Sequence, residues 1–352
     1  MRSARKAILL MNLGSPDSTS VKDLKKYLKE FLMDERVLDM PRWKRSLLVN
    51  GIIVPFRAPK SARAYESIWT EEGSPLIVLT KQLKEALSAH TDWPIEICMR
   101  YGNPTPKAAM DVLQQQYPQL EEVILVPLYP HYAWSSYETA VVYAIEQYRQ
   151  GNYTFNINVV PPFYKNEKYI DALAESMQPY LQQDFDLLVF SYHGIPERHI
   201  TKRHAAGTHD ISKTDRCCEG DQHQQYCYRH QVISTTKLVA QKLGIPPEKY
   251  KVTFQSRLGR DPWLLPYTAA SLQKWPAEGI KKIVLACPAF VSDCLETIEE
   301  MGEEGREIFL HAGGTSFTLV PCMNTFPQWV SALNGLIATA VPYTNEALIE
   351  KW

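Results

Sequence analysis

The chain has 352 residues, and its 38 Lys and Arg against 39 Asp and Glu leave a formal charge of −1. That length suits two domains of ordinary size with a cleft between them, and the charge balance gives no electrostatic case for nucleic acid or another polyanion as a partner. No apolar run approaches the roughly 20 residues that span a bilayer. Seven cysteines, an odd number in a long chain, fit thiols or a metal in a reducing cytoplasm better than a secreted disulfide framework.

In chain order, the opening MRSARKAILLMNLGSPD joins a basic start to a short apolar run that ends in Asn and Gly-Ser-Pro rather than in a small-residue cleavage site, so it reads as a first buried strand. Eight strand-sized apolar runs punctuate the chain: AILLMNL, IEICMRY, VILVPLY, FNINVVP, LLVFSYH, YKVTFQS, KIVLACP and FTLVPCM. Helical patterns such as VKDLKKYLKEFL, LTKQLKEALSAH, YIDALAESMQPYL and STTKLVAQKLG lie between most of them. This alternation predicts parallel sheets built from βαβ units. The expected fold is α/β, with two doubly wound Rossmann-like domains over 1–155 and 156–322, each carrying a four-stranded parallel sheet. A tail over 323–352 contains the helix FPQWVSALNGLIATA, expected to pack back on the domains. Residues 33–73 interrupt the rhythm with Pro, Trp, several basic residues and the apolar patch LLVNGIIVPF. An insertion of that length after a strand end reads as a lid or as an extra packed helix pair.

Ligands of open parallel sheets bind beyond the carboxyl ends of the strands. That rule singles out SYHGIP, where His193 ends a buried run, and ACPAFVSDCLE, which leads into Glu296, Glu300 and Glu304. Spacing of i, i+4, i+8 puts these three carboxylates in one row on a helix face, with Glu299 and Glu303 one step round. A solvated acidic helix start and a satisfied core histidine are the bland alternatives. If both strand ends face one cleft, a neutral imidazole opposite carboxylates suits a divalent first-row cation such as Fe(II), held by few groups and free to leave.

SYHGIP, TFQSRLGRDPWLLPYT and CPAFVSDCLETIEE, with MNLGSP, GSPL, MRYGNP and LYPHY, resemble the ferrochelatases, and the resemblance runs from about residue 6 to residue 340. It implies insertion of ferrous iron into protoporphyrin IX at the end of haem synthesis, in a cleft between two Rossmann-like domains. By position, it implies His193 and Glu296 as the metal-binding and catalytic pair, and Glu300 and Glu304 as a path for metal or protons. It also implies Leu13, Arg100, Tyr101 and Trp263 as porphyrin contacts, and Arg57, with Lys60 and Arg63, as partners for propionates. LLVNGIIVPF corresponds to the family's hydrophobic lip, which covers the porphyrin and offers peripheral contact with the inner membrane to an otherwise cytoplasmic monomer or homodimer. Coproporphyrin with iron, a sirohydrochlorin with cobalt, and a haem or metal carrier without turnover are the alternative readings.

Two stretches depart from the family. HYAWSSYET replaces the Ser-Cys-Ser-Thr stretch of many relatives, so Trp134 and Glu138 make that wall bulkier and more acidic. RCCEGDQHQQYCYRHQ resembles a segment that holds a [2Fe–2S] cluster in some bacterial relatives, but it offers three thiolates, Cys217, Cys218 and Cys227, with Asp210 where a fourth cysteine occurs. Four thiolates are the usual requirement of such a cluster. His209, His223 and His230 beside three thiolates suit zinc or no metal as readily.

Overall fold

The computed structural model describes residues 4–201, 225–259 and 261–343. The chain forms two units, the first from the chain up to Tyr129, Trp134–Pro161 and the chain from Leu333, the second from Pro130–Ala133 and Pro162–Ala332. All eight strand-sized apolar runs contain a strand.

In the first unit β1 (Lys6–Ser15) lies between β2 (Ile95–Gly102) and β3 (Glu122–Pro127), and β4 (Asn156–Val159) continues the parallel sheet beyond β3. Residues Ala7 to Met11 of β1 have no exposed surface. Helices on both faces of a parallel sheet require such unbroken apolar strands. In the second unit β5 (Leu187–His193) lies between β6 (Tyr250–Gln255) and β7 (Lys282–Ala286), with β8 (Ser316–Leu319) outermost and all pairs parallel. Both sheets thus run in the order second, first, third, fourth strand. In sheets of this order, the topological switch point lies between the first and third strands. For the second unit that places it between β5 and β7.

Two expectations need correction. The boundary does not fall at residue 155, because Glu122–Leu125 of β3 pairs in register with Asn156–Val159, which binds β4 into the first sheet. The first sheet also gains a fifth strand, β9 (Val341–Pro342), antiparallel to β4. Only two residues pair there, too few to leave a hydrophobic pattern in the sequence.

The insertion forms one helical run rather than a helix pair: Arg42–Leu48, a π-helical turn Val49–Ile53, and Val54–Ile68. Its buried side chains, Val49, Val54, Ala58, Ala62, Tyr65 and Ile68, recur at the spacing of one helix face. Trp43, Leu47, Ile52 and Phe56 lie off that face and are 56–80% exposed.

The carboxyl end of β1 constrains the sequence most tightly. Gly14 has φ +102°, and a Cβ built on it would fall 1.8 Å from the Tyr101 carbonyl oxygen on β2. We expect Gly14→Ala to lower the thermal midpoint by about 5–10 °C, since left-handed strain and a backbone clash together cost roughly 3 kcal/mol. An unchanged midpoint in a thermal melt would show that the β1–β2 approach is not tight.

Candidate functional site

His193 is the last residue of β5 and is fixed from three directions. Its carbonyl accepts the Tyr228 hydroxyl at 2.8 Å, and the next amide, Gly194 N, donates to the Gln255 carbonyl on β6 at 2.8 Å. Its own ring Nδ1 lies 2.6 Å from the Gly194 carbonyl oxygen. A carbonyl can only accept, so Nδ1 carries the proton and Nε2 keeps a free lone pair. Burial pushes the imidazole pKa down, against the Glu296 charge and the Gly194 hydrogen bond. The ring is therefore neutral at pH 7 and beside a carboxylate.

Glycine is required at position 194, where a Cβ would lie 2.8 Å from the Gln255 carbonyl and 3.1 Å from the Trp263 ring. Trp263 is 8% exposed and packs against this turn, and Pro196 and Trp263 form a short antiparallel bridge. The indole supports the His193 turn.

Across the switch point, β7 leads into Glu296–Gly305, ten residues of π-helix. The expected acidic α-helix is thus a wider one, with i→i+5 hydrogen bonds; π-helix usually occurs as single turns, often at functional sites. Thr297, Met301 and Gly305 form its buried row. The neighbouring row, Glu296, Glu300 and Glu304, passes from two partly buried carboxylates to an exposed one.

The end of β6 controls this row, and sequence reasoning missed its two residues. Ser256, with φ +64°, donates its amide to Glu300 at 2.8 Å and its hydroxyl to the other Glu300 oxygen at 2.5 Å. A left-handed non-glycine residue costs conformational energy and concentrates at functional sites. Gln255 Nε2 donates to the Glu296 carbonyl at 2.9 Å. The only trace in the sequence is that both lie in the strand-end motif FQSRLGR. Burial, aided by the charges of Glu296 and Glu304 and opposed by the Ser256 hydrogen bonds, raises the Glu300 carboxyl to about 7. An unprotonated imidazole nitrogen with a carboxylate can hold a divalent cation while leaving most coordination positions open. A carboxyl that titrates near neutrality can exchange protons at little cost.

The first-unit residues are arranged differently. Arg100 donates to Asp34 at 2.5 Å and to the Thr139 hydroxyl at 2.8 Å, and its guanidinium stacks over the Tyr101 and Tyr143 rings. Tyr101 has no exposed surface, and its hydroxyl donates to Asp34 at 2.8 Å. Tyr101 thus commits its hydroxyl to Asp34. Burial pushes the Asp34 carboxyl up, but the Arg100 charge and the Thr139, Arg36 and Tyr101 hydrogen bonds outweigh it and leave the pKa lowered. Asp34 was not legible because its side-chain partners Arg100, Tyr101 and Thr139 lie 66 to 105 residues away in sequence. Leu13 is half-buried near the end of β1, and Arg57 is exposed on helix Val54–Ile68.

Of the cysteine segment, Cys217 and Cys218, with Asp210, His209 and His223, lie outside the described residues. Cys227 is buried and caps helix Tyr228–Lys242, its sulfur accepting the His230 amide at 3.4 Å.

A family model described as Ferrochelatase matches residues 5–341. The chain belongs to the ferrochelatase family. It is 46% identical over 339 residues to the ferrochelatase of Pseudomonas entomophila (strain L48), covering 95% of this chain and 99% of that one. Against the ferrochelatase of Opitutus terrae (strain DSM 11246 / JCM 15787 / PB90-1) identity is 44% over 337 residues, covering 95% and 97%. Among solved structures, the sirohydrochlorin chelatase SirB from Bacillus subtilis subspecies spizizenii in complex with cobalt aligns at TM-score 0.51 and 11% identity, over 95% of this chain and 94% of that one. That likeness concerns the fold alone. Family membership makes this chain a porphyrin metal chelatase and removes the reading as a carrier without turnover.

Glu300 gives this ferrochelatase-family site a pH signature. A carboxyl raised from 4.5 to about 7 favours the folded state while protonated. That contribution is complete below pH 4.5 and is lost as pH rises through about 7. Glu300→Gln, which cannot ionise, should match the parent near pH ~4 and exceed it in stability at pH ~8, by up to about 3 kcal/mol. Melts giving equal shifts at both pH values would contradict the raised pKa.

Proposed function

We propose that this chain inserts ferrous iron into protoporphyrin IX to form protohaem, with His193 and Glu296 receiving the metal. The observation that carries the reading is the neutral His193 ring, with Nε2 free, beside Glu296 at the start of a carboxylate row. Insertion exchanges one Fe(2+) for the two pyrrole N–H protons. Nε2 has a single lone pair, so it cannot hold the metal and take a pyrrole proton at once. Glu300, titrating near neutrality, is suited to accept the two protons one after the other. Glu304, exposed four residues further on, passes each to solvent.

His193→Ala should lower kcat for iron insertion by at least about 100-fold. Porphyrin affinity, measured by fluorescence titration, should stay nearly unchanged, because apolar contacts dominate the binding of a flat ring. Near-parental turnover would remove His193 from the mechanism. The same assay with coproporphyrin separates the alternative substrate, which would show the higher kcat/KM.

We also propose that the protein works at the cytoplasmic surface of a membrane. No helix among the described residues is long and apolar enough to cross one. Trp43, Leu47, Ile52 and Phe56, exposed on one helical run with Arg42, Lys44, Arg57 and Lys60, give the mixed apolar and cationic surface that lies in a lipid interface. Trp43→Ser with Phe56→Ser should cut binding to anionic vesicles by about tenfold, without changing the melting midpoint. Unchanged sedimentation with vesicles would exclude this surface as the contact.

A further inference from the structure

A seam of buried polar side chains runs through the second unit beneath the candidate site. Thr253 and Ser191 have no exposed surface and face one another across β6 and β5. Thr268 lies 2.8 Å from Thr253 and 2.9 Å from Ser191, oxygen to oxygen. Ser191 donates to Gln255 Oε1 at 2.6 Å, and the Cys287 thiol approaches the same oxygen at 3.6 Å. Strand alternation puts Thr253 and Gln255 on one face of β6. In a sheet otherwise filled with Val, Leu, Ile and Phe, such a seam costs stability unless every member is satisfied.

Gln255 is where the seam meets the chemistry. It is 3% exposed, pairs in register with His193, and accepts Gly194 N through its backbone carbonyl at 2.8 Å. Its side chain points the other way in function, with Nε2 donating to the Glu296 carbonyl at 2.9 Å. The Glu296 carbonyl can only accept, so the amide orientation is forced, and Ser191 on the Oε1 side holds it there. One residue therefore ties the turn that carries His193 to the first residue of the π-helix that carries Glu296.

We infer that Gln255 is a positioning residue that sets the spacing between His193 and Glu296, and through it the affinity for the incoming metal. The inference rests on the proposed metal pair. Groups that orient ligands without touching the metal typically change metal affinity by about 10–100-fold when removed. Gln255 is 3% exposed and its amide is engaged by Ser191 and the Glu296 carbonyl, so the expected effect falls on the metal rather than on the porphyrin. Other residues could fill the space, but an amide of this length donates to the Glu296 carbonyl while accepting from the Ser191 hydroxyl.

The test uses the full-length protein and three variants. Gln255→Met keeps length and loses both hydrogen bonds, Gln255→Glu keeps the acceptor for Ser191 and loses the donor to Glu296 once assayed above the pH at which its buried carboxyl ionises, and Ser191→Ala releases the amide from its anchor. Gln255→Met and Gln255→Glu should raise KM for ferrous iron by about tenfold or more, and Ser191→Ala by a smaller factor. KM for porphyrin should stay within about twofold in all three. Equal rises in both KM values, or a lowered melting midpoint with neither changed, would make Gln255 a merely structural residue. If Gln255→Met does not fold, the other two variants decide by the same criterion. Cobalt binding without porphyrin, measured on His193→Ala and Glu296→Gln, separates the two levels. No loss there overturns the metal pair itself; loss there with unchanged ferrous KM in the Gln255 variants overturns this inference alone.

Discussion

Exclusion of water at the carboxyl ends of β5 and β7 is the constraint on which the candidate site depends. In water an imidazole is partly protonated near neutrality and a glutamate is fully ionised. Burial moves both towards the uncharged form, so His193 keeps a free lone pair and Glu300 titrates near 7. The fold supplies this environment cheaply: strands covered on both faces end in a layer already screened from solvent. The carboxylate row then leads outwards, since Glu304 is exposed while Glu296 and Glu300 are partly covered.

The two units share a strand order but use charge at their strand ends differently. In the first, Arg100 on β2 is matched by Asp34, and the pair is closed by Thr139 and Tyr101. Such a network holds its elements in place. In the second, the end of β5 carries His193 and the end of β6 meets Glu300. Glu300 is held by hydrogen bonds from Ser256 rather than by a positive charge. Neutral donors moderate the cost of burying a carboxyl without forcing it to ionise, and so keep its pKa near neutrality.

Much of this was legible in the sequence, for a physical reason. A strand buried on both faces must be apolar throughout, so each strand of the two parallel sheets left a run that could be read directly. His193 and the glutamate row were legible because ionisable groups at the ends of such runs are costly without a purpose. The π-helix was hidden because residues four apart are neighbours in both helix types, and only the hydrogen bonding distinguishes them. The β4 boundary and β9 were hidden because pairing partners, not local pattern, assign them to a sheet. Gln255, Ser256 and Asp34 were hidden because their roles lie in bonds to residues distant in sequence.

The central claim is that His193 and Glu296 together receive the metal. Diffraction from crystals soaked with cobalt or zinc, recorded at the absorption edge of the metal, tests it directly. The account predicts one ion at about 2.0–2.2 Å from both His193 Nε2 and a Glu296 carboxylate oxygen. An ion bound elsewhere, with His193 and Glu296 both free of it, would contradict the account.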